Sequence, residues 1–384
     1  MEGQKLLTVK DLKTYFYTSG GVSKAVDGVS FEVEKGEILG IVGESGSGKS
    51  VTSSSIIHLL PAKTGKIVGG SIDFNGTDVL KLSQKELLEF RGKDISMIFQ
   101  NPMTSLSPVF KVGSQMVEMI CAHQKVTKAE ARNMAEEALK RVGIPDARRR
   151  MEAYPYELSG GMCQRVIIAM SVCSKPQMII ADEPTTALDV TVQAQVLDLL
   201  KELRDKYGTA ILLITHNLGV VWDMCDSVIV MYAGKTVEYA PCIDLYNHPL
   251  HPYTWGLLDC MPRLSSNSKE ELSTIAGTPP DLRLTGVGCN FANRCPYAQE
   301  RCRTEVPELT EVSPGHRVAC HRQTGGNRLV RNEVTESKFN LLTSTDGSKG
   351  MKATYWNNAE MKGEPVATAV MTSPINQSNG GNTV

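Results

Sequence analysis

Short apolar runs alternate with amphipathic segments along the first two thirds of the chain. The runs GVSFEVE and EILGIVG are typical of two strands on either side of a Lys35-Gly36 turn. A Gly-rich loop follows the second run, and an apolar helix that is expected to end at Pro61 follows the loop. This order predicts a strand, a loop and a helix in direct succession.

The middle of the chain has the patterning of helices. After a short predicted strand, SIDF, two capping boxes with Ser/Thr-x-x-Glu spacing begin at Ser83 and Thr127, and each predicts a helix start. Gly143 suits the end of the second helix, because glycine readily adopts the left-handed conformation of a C-cap. Residues 103 to about 150 are therefore expected to be mostly helical.

The strand pattern returns at residue 178. MIIA and AILLITH are apolar enough for buried strands, VTVQAQVLDLLKELRDKYG lies between them as a helix, and SVIVMYAGKTVEYA follows as a hairpin. Buried strands that alternate with helices predict an α/β fold with a sheet covered on both faces and a helical insertion. Pro, Gly and Cys then dominate to about residue 325, and the polar segment 326–384 is expected to be a flexible tail.

Length and charge exclude some functions. A chain of 384 residues can form two or three domains, and 41 Lys and Arg against 42 Asp and Glu leave little field to attract nucleic acid, which is therefore not expected as a partner. The apolar runs are far shorter than the roughly 18 residues of a transmembrane helix, and no signal-peptide core is evident. We expect a cytosolic protein that does not cross a membrane by itself.

The segment GESGSGKS fits the phosphate-loop pattern G-x-x-x-x-G-K-[ST], after a predicted strand and before a predicted helix. Its backbone N–H groups would face the ATP phosphates, its lysine would neutralise the γ-phosphate, and its last serine would ligate Mg²⁺. The alternative, a flexible Gly/Ser turn, does not account for this context. The predicted nucleotide-binding residues here are Gly43, Glu44, Ser45, Gly46, Ser47, Gly48, Lys49, Ser50 and Val51.

Two acidic residues end the apolar strand MIIADEP. Asp182 would hold Mg²⁺ and Glu183 would act as the general base for the attacking water, because ligands collect at the carboxyl ends of parallel strands. His216, after the strand ILLIT, would orient or sense the γ-phosphate. A solvated acidic pair and a structural histidine are the alternatives, and the phosphate loop upstream makes them less favoured.

LSGGMCQR, from Leu158 to Arg165, is a second Gly-Gly turn at the start of a helix, and a single ATP does not need two such anion sites. The phosphate loop, Gln100, LSGG, IIADE, the ALD motif at 187–189 and His216, in this order, resemble the nucleotide-binding subunit of an ATP-binding cassette (ABC) transporter. The resemblance covers about residues 5–260 and implies a P-loop NTPase cassette with a mixed sheet core.

In that family, two cassettes enclose two ATP molecules, so Ser159, Gly160 and Gly161 are implied to serve the partner's nucleotide. Gln100 would join the Mg²⁺ site to the helical insertion and complete the catalytic set with the general base and the histidine, and Asp189 would communicate across the dimer. Cys163 departs from the pattern, since relatives often have arginine after LSGGM.

An aromatic residue near the segment TYFYT is implied to stack on adenine. We favour Phe16, with Tyr15 and Tyr17 as near equals, because spacing alone does not decide.

The segments MIFQNPMTSLSPVF and HPLHPYTWGLL and the Cys-rich region resemble the ATP-binding subunit of bacterial dipeptide and oligopeptide importers. Without that context, HPYT would be read as a Pro-rich linker. The resemblance implies a peripheral protein on the cytoplasmic face of the membrane. Its implied partners are a second ABC ATPase subunit, identical or paralogous, two integral membrane permease subunits and an extracytoplasmic peptide-binding protein.

The sequence leaves other functions open. The same kind of ATPase could energise the import of nickel, glutathione or another small solute. A soluble ABC ATPase acting on the ribosome or on nucleic acid is the rival from another class, and the single cassette and neutral charge disfavour it. A non-hydrolysing regulatory subunit is disfavoured because Lys49, Asp182, Glu183 and His216 are all present.

Three domains or segments are expected. Residues 1–262 form the ATPase, with a helical subdomain at about 101–165, residues 263–325 form the Cys-rich extension, and residues 326–384 form the flexible tail.

Four cysteines of the extension, Cys289, Cys295, Cys302 and Cys320, have spacings typical of neither zinc pairs nor ferredoxins. Spacing leaves a metal site and scattered buried thiols equally open. A segment this short with so few large apolar side chains usually needs a disulfide or a metal ion to hold its structure. Because the cytosol disfavours disulfides, a metal site is favoured.

This chain resembles peptide-importer ATPases that have such a Cys-rich region, and these resemble ATPases that bind a 4Fe-4S cluster. The resemblance therefore implies a 4Fe-4S cluster on these four cysteines. His316 and His321 keep zinc as an alternative.

Overall fold

The computed structural model describes residues 4–186, 188–261, 274–324, 328–329, 331, 351–355 and 367–371. Ala187, the first residue of the ALD motif, lies outside the described residues, as does the predicted boundary between 262 and 263, which stays a prediction. No helix in the described part of the chain is long and apolar enough to cross a membrane.

Two larger sheets and one strand pair contain the strands. The strands are β1 Lys5–Thr18, β2 Gly21–Glu34, β3 Ile38–Val42, β4 Gly65–Phe74, β5 Thr77–Asp78, β6 Ile95–Ile98, β7 Met178–Asp182, β8 Ala210–Ile214, β9 Ser227–Tyr232, β10 Lys235–Pro241, β11 Thr310–Ser313, β12 His316–Val318, β13 Met351–Tyr355 and β14 Ala367–Met371. The main sheet has the order β11-β12-β10-β9-β3-β8-β7-β6, and the second has the order β2-β1-β4-β5. The predicted mixed sheet is confirmed, because β9, β3, β8, β7 and β6 run parallel and β10 to β12 are antiparallel additions.

The core lies where the antiparallel sheet faces the main sheet. It combines side chains such as Leu7, Val29 and Ile72 of the former with Ile41 and Leu212 of the latter. Every residue of β3, β7 and β8 is buried, as expected for parallel strands covered on both faces.

Most of the helices lie where the sequence predicts them. They are α1 Lys49–Ile56, α2 Gln84–Lys93, α3 Pro102–Ser105, α4 Val112–His123, α5 Lys128–Arg141, α6 Ala147–Arg150, α7 Gly160–Cys173, α8 Val190–Tyr207, α9 Leu218–Met224, α10 Cys242–Asn247, α11 Pro252–Asp259 and α12 Glu300–Thr304. Both capping boxes form, and Gly143, with φ of +71°, follows the end of α5. The expected end of α1 at Pro61 is wrong, since the helix ends at Ile56 and His58 has a left-handed φ of +55°.

The extension adds strands to the sheet of the cassette. β12 pairs with β10, with Val318 opposite Glu238 and Arg317 opposite Tyr239. The described residues of 4–261 and of 274–329 accordingly belong to one compact unit. Within the predicted flexible tail, β13 and β14 pair antiparallel, and the flexibility itself stays a prediction.

Candidate nucleotide-binding and hydrolysis site

The phosphate loop connects β3 to α1 in a conformation that requires glycine at two positions. Gly43 has φ of +151° and a Cβ there would lie 2.2 Å from the carbonyl oxygen of Met231. Gly48 has φ of +105° and a Cβ there would lie 2.3 Å from the carbonyl oxygen of Ala25. Side chains at these positions would therefore force the loop away from β9 and β2.

Lys49 is the buried cation of this loop. Its Nζ donates hydrogen bonds to the carbonyl oxygens of Gly43, at 2.7 Å, and Glu44, at 2.9 Å. Burial lowers the pKa of Lys49, and the nearby carboxylates of Glu183, Asp182 and Glu44 partly oppose this effect. A cation at this depth is suited to a strongly anionic ligand such as a triphosphate.

Ser50 and Asp182 bring two oxygen groups together at the end of the loop. The Ser50 hydroxyl, at the start of α1, donates to Oδ1 of Asp182, at the end of β7, over 3.0 Å. Burial raises the pKa of Asp182, against the hydrogen bond from Ser50. A hydroxyl and a carboxylate side by side are the oxygen ligands that Mg²⁺ prefers, so this donor set fits the ion.

Three side chains from separate segments converge on Glu183. Gln100 Nε2 donates to Oε2 of Glu183 over 2.8 Å, and the Thr186 hydroxyl donates to the same oxygen over 2.9 Å. His216 Nδ1 lies 3.2 Å from Oε1. Each oxygen of the carboxylate thus has a fixed partner, and the predicted catalytic residues Glu183, His216 and Gln100 form one cluster.

The hydrogen bonds also set the ionisation of this carboxylate. Burial favours the neutral form of Glu183, but the hydrogen bonds from His216 and Thr186 and the charge of Lys49 outweigh burial, and the pKa of Glu183 is lowered. The backbone of Glu183 is left-handed, with φ of +49°, which is uncommon outside glycine. An ionised carboxylate in a constrained position is suited to accept a proton.

Sequence reasoning missed two residues of this region. Thr186 lies three positions after Glu183 in the segment DEPTT. The one feature of the sequence that could have indicated its role is a hydroxyl group close in sequence to the predicted base. Gln164, which is buried in α7, donates from Nε2 to the carbonyl oxygen of Pro184 over 2.9 Å and so connects the LSGG helix to the carboxylate loop. Nothing in the spacing of LSGGMCQR predicted that contact.

The LSGG turn is a helix start that faces outward. Ser159 caps α7 and its hydroxyl accepts a hydrogen bond from the amide of Met162. Ser159 and Gly160 are exposed, and a Cβ added to Gly160 would meet no atom within 4 Å. Cys163, the departure from the family pattern, is buried and its thiol donates to the carbonyl oxygen of Pro155. Asp189 caps α8 by accepting from the amide of Val192.

The three candidate adenine-stacking residues have different surroundings. The Tyr15 hydroxyl donates to Asp27 over 2.8 Å, and burial and this carboxylate raise the pKa of Tyr15 to about 12. Tyr17 is exposed, and Phe16 pairs with Gly65 of β4, where an added Cβ would lie 3.1 Å from its ring. Phe16 also lies two residues from Thr14, whose hydroxyl is 2.8 Å from that of Ser55 in α1.

Burial, neighbouring thiols and backbone amides set the ionisation of three cysteines of the extension. Burial raises the pKa of Cys289 to about 12 and that of Cys320 to about 11, and in each case the other cysteine thiols add to the effect. Backbone amides hydrogen-bond to three of the sulfurs: those of Cys289, Cys295 and Cys320. The amide hydrogen bonds favour thiolate ligands and burial opposes them, and the described residues contain no group of three or more His, Cys, Asp or Glu side chains placed to hold a metal ion.

Both histidines of the zinc alternative have other partners. Nε2 of His316 lies 2.8 Å from Oε1 of Glu238, a fully buried carboxylate that also accepts from the hydroxyl of Thr254. Nε2 of His321 is 3.0 Å from the carbonyl oxygen of Glu305. The geometry therefore gives no support to zinc on these imidazoles.

Known proteins resemble the chain over most of its length. Residues 26–186 match the family model described as ABC transporter, and residues 237–302 match the model described as oligopeptide/dipeptide transporter, C-terminal region. The chain is 52% identical over 317 residues to the probable peptide ABC transporter ATP-binding protein y4tR of Sinorhizobium fredii, which covers 83% of this chain and 95% of that protein. The chain belongs to the ABC transporter family.

Further relatives support the assignment to the ABC transporter family. The chain is 51% identical over 314 residues to the oligopeptide transport ATP-binding protein OppD of Bacillus subtilis, with 82% of this chain and 88% of that protein covered. The dimeric, post-hydrolysis structure of the ATP-binding cassette MJ0796 bound to ADP and Pi superposes with a TM-score of 0.56 and 26% identity, covering 62% of this chain and 99% of that one. The predicted cassette fold is confirmed, and the chain is an ATPase.

Proposed function

We propose that this chain is the ATP-hydrolysing subunit that energises import of dipeptides or oligopeptides through a membrane ABC transporter. The observation that carries the hydrolytic role is the convergence of Gln100, Thr186 and His216 on Glu183, next to the Ser50 and Asp182 pair. Support for the cargo comes from relatives named as oligopeptide and dipeptide transport ATP-binding proteins.

The phosphate loop would bind the triphosphate. Its backbone amides and Lys49 would face the β- and γ-phosphates, and the buried Ser47 hydroxyl, which has no hydrogen-bond partner among the described residues, would be available to a phosphate oxygen. Ser50 and Asp182, with Gln100, would hold Mg²⁺, which when bound neutralises charge on the transferred phosphoryl group.

Glu183 would accept a proton from the attacking water. Its lowered pKa keeps it ionised at neutral pH, and the hydrogen bonds from Gln100 and Thr186 fix the direction of its Oε2 lone pairs. His216 would orient the γ-phosphate from the other side of this carboxylate. Phe16 would stack on the adenine ring, since it lies two positions after Thr14 on β1, and Thr14 contacts Ser55 of α1.

A second cassette would complete the site. The turn of Ser159, Gly160 and Gly161, of which the first two are exposed, would present backbone N–H groups and the positive end of α7 to an anion outside its own chain. Asp189, also exposed at a helix start, would act across the same interface. The assembly would include two membrane permease subunits and an extracytoplasmic binding protein, and would hold this chain at the cytoplasmic face of the membrane.

The extension would bind a 4Fe-4S cluster through Cys289, Cys295, Cys302 and Cys320. The amide hydrogen bonds to three of the sulfurs support this proposal, as do the effects of the thiols on one another's pKa values. When bound, the cluster would cross-link a segment that has few large apolar side chains.

Competition in the reconstituted transporter tests the cargo. The full chain is assembled with its co-purifying permease and cassette subunits and binding protein in vesicles, and uptake of a labelled tripeptide is measured with an excess of unlabelled dipeptide, pentapeptide or nickel. Inhibition by peptides but not by nickel is expected. Inhibition by nickel alone would replace the peptide cargo with a metal.

A further inference from the structure

One side chain of the extension contacts the phosphate loop directly. Nη1 of Arg294 lies 2.6 Å from Oε2 of Glu44, and Nη2 lies 2.9 Å from Oε1. Glu44 is the second residue of GESGSGKS, so this is a bidentate ion pair between two parts of the chain that are 250 residues apart. The Arg294 side chain is only 5% exposed, which distinguishes the pair from an ordinary surface salt bridge.

The rest of the guanidinium is equally constrained. Nε donates to the carbonyl oxygen of Ala276 over 2.9 Å, Nη2 to that of Ile275 over 3.0 Å, and Nη1 to the Tyr232 hydroxyl over 3.2 Å. Together with the two bonds to the carboxylate, these contacts use all five N–H donors of an arginine. The guanidinium carbon also lies 5.7 Å from the ring centroid of Tyr232. A lysine could reproduce the charge but not this set of directions.

Glu44 is fixed through its backbone as well. Its amide donates to the hydroxyl of Tyr253 over 2.8 Å, and its carbonyl accepts from Lys49. Tyr253 belongs to the segment HPLHPYTWGLL, and its ring packs against Tyr232, with centroids 4.7 Å apart. Residues C-terminal to the cassette motifs thus hold both the side chain and the amide of one phosphate-loop residue.

The charge of Glu44 acts on the nucleotide site. Its carboxylate is near enough to Lys49 to stabilise the lysine cation, and it would repel a triphosphate in the same loop. Arg294 compensates that negative charge and holds the carboxylate on the side of the extension.

We propose that Arg294 is a positioning residue for ATP binding, through which the Cys-rich extension fixes the phosphate loop and neutralises Glu44. The proposal rests on the proposed role of the phosphate loop. It assigns to the extension a function in nucleotide affinity, carried by a residue that directly precedes Cys295.

Steady-state kinetics of the assembled transporter, made with the full chain, test this role. Arg294→Gln should raise the KM for ATP about tenfold, because an uncompensated carboxylate then faces the phosphates, while kcat changes little since ground state and transition state are affected alike. Arg294→Lys should give a smaller rise. Arg301→Gln, which removes an exposed arginine of the same extension that pairs with Glu305, is the matched control and should leave the KM unchanged.

A second-site change separates this electrostatic role from simple support of the fold. Glu44→Gln combined with Arg294→Gln removes both charges, and its KM should recover most of the way toward that of the wild type. An unchanged KM in Arg294→Gln, or a double variant no better than the single one, would overturn the proposal. If Arg294→Gln does not fold, Arg294→Lys decides alone, since it keeps the charge but loses the bidentate geometry: an unchanged KM would then overturn the positioning role. Failure of the wild type itself to bind ATP would instead count against the proposed function.

Discussion

Gln100 Nε2 lies 2.8 Å from Oε2 of Glu183, although 83 residues separate the two along the chain. The contact forms because Gln100 follows β6 and Glu183 follows β7, which are parallel neighbours in the main sheet. Residues that follow neighbouring parallel strands meet at the same edge of the sheet, where ligands collect. The amide therefore orients the carboxylate that we propose as the general base.

Replacing the general base should stop turnover without removing ATP. Glu183→Gln keeps the size of the side chain but cannot accept the proton, so hydrolysis should slow by about two to four orders of magnitude while ATP binding survives. Phosphate release and binding of a fluorescent ATP analogue measure the two effects. Hydrolysis near the wild-type rate would contradict the assignment of Glu183.

The pH dependence of kcat reports on the hydrogen bonds to Glu183. Its pKa is lowered and only the ionised form is active, so activity is present above this pKa and is lost as pH falls through it. Thr186→Val removes one stabilising hydrogen bond and leaves the burial, so the pKa should rise and the acid limb should move to higher pH.

An unperturbed glutamate titrates at about pH 4.3, so the acid limb of the wild type lies below that pH, and rates measured from about pH 3 to 8 give its position. Thr304→Val, whose hydroxyl bonds only to backbone of its own helix, is the control and should not shift it. An acid limb at the same pH in wild type and Thr186→Val would show that Thr186 does not tune the base.

The phosphate loop depends on its buried cation. Lys49→Ala should weaken ATP binding and reduce hydrolysis by about 10²–10³-fold, the usual effect of removing one positioned donor from a site that stabilises charge. Titration with ATP and phosphate release measure these losses. Lys140→Ala, which removes surface ion pairs with Glu136 and Glu137, should change neither, and an equal loss there would point to a general defect.

The shared site predicts an effect in trans. Ser159→Arg places a large side chain on the exposed LSGG turn, so the variant should bind ATP at its own phosphate loop but block turnover at the site of the partner cassette. Mixing this variant with a Lys49→Ala subunit shows which of the two sites fails. Loss of ATP binding to the Ser159→Arg chain itself would indicate a role within the same chain.

The cysteines should affect both metal content and ATP affinity. Cys295→Ser should remove iron and acid-labile sulfide from anaerobically purified protein and make residues 288–321 sensitive to protease. Because Arg294 is the adjacent residue, the KM for ATP should also rise. Cys121→Ser, outside this segment, is the control. Stoichiometric zinc without sulfide, or protein without metal, would contradict the cluster.

The nucleotide motifs were predictable because each has a local cause. A glycine loop after a buried strand, and acidic residues at the end of another, follow from spacing and burial alone. In the structure Lys49 and Ser50 start α1 after the loop, and Asp182 and Glu183 lie at the end of β7, while their roles stay predictions. Gln100 and His216 needed the family resemblance as well, since a single polar residue after a strand has many possible roles.

Contacts between distant segments were not predictable from local pattern. Nothing in the segment CNFANRCPY marks Arg294 as a partner of Glu44. Without context, HPYT would be interpreted as a linker, although the hydroxyl of its Tyr253 accepts a hydrogen bond from the amide of Glu44. Such contacts depend on how β12 extends the sheet and brings residues after 274 back to the loop. The end of α1 was also missed, because the left-handed φ of His58 has no signal in its sequence.

The most direct test of the central claim is uptake of labelled tripeptide into vesicles that contain the complete transporter. Wild-type protein supplied with ATP and Mg²⁺ should accumulate peptide, and the same complex with Glu183→Gln should bind ATP without accumulating it. Peptide accumulation by the Glu183→Gln complex at the wild-type rate, or no dependence of wild-type uptake on ATP, would contradict the conclusion that hydrolysis by this chain energises import.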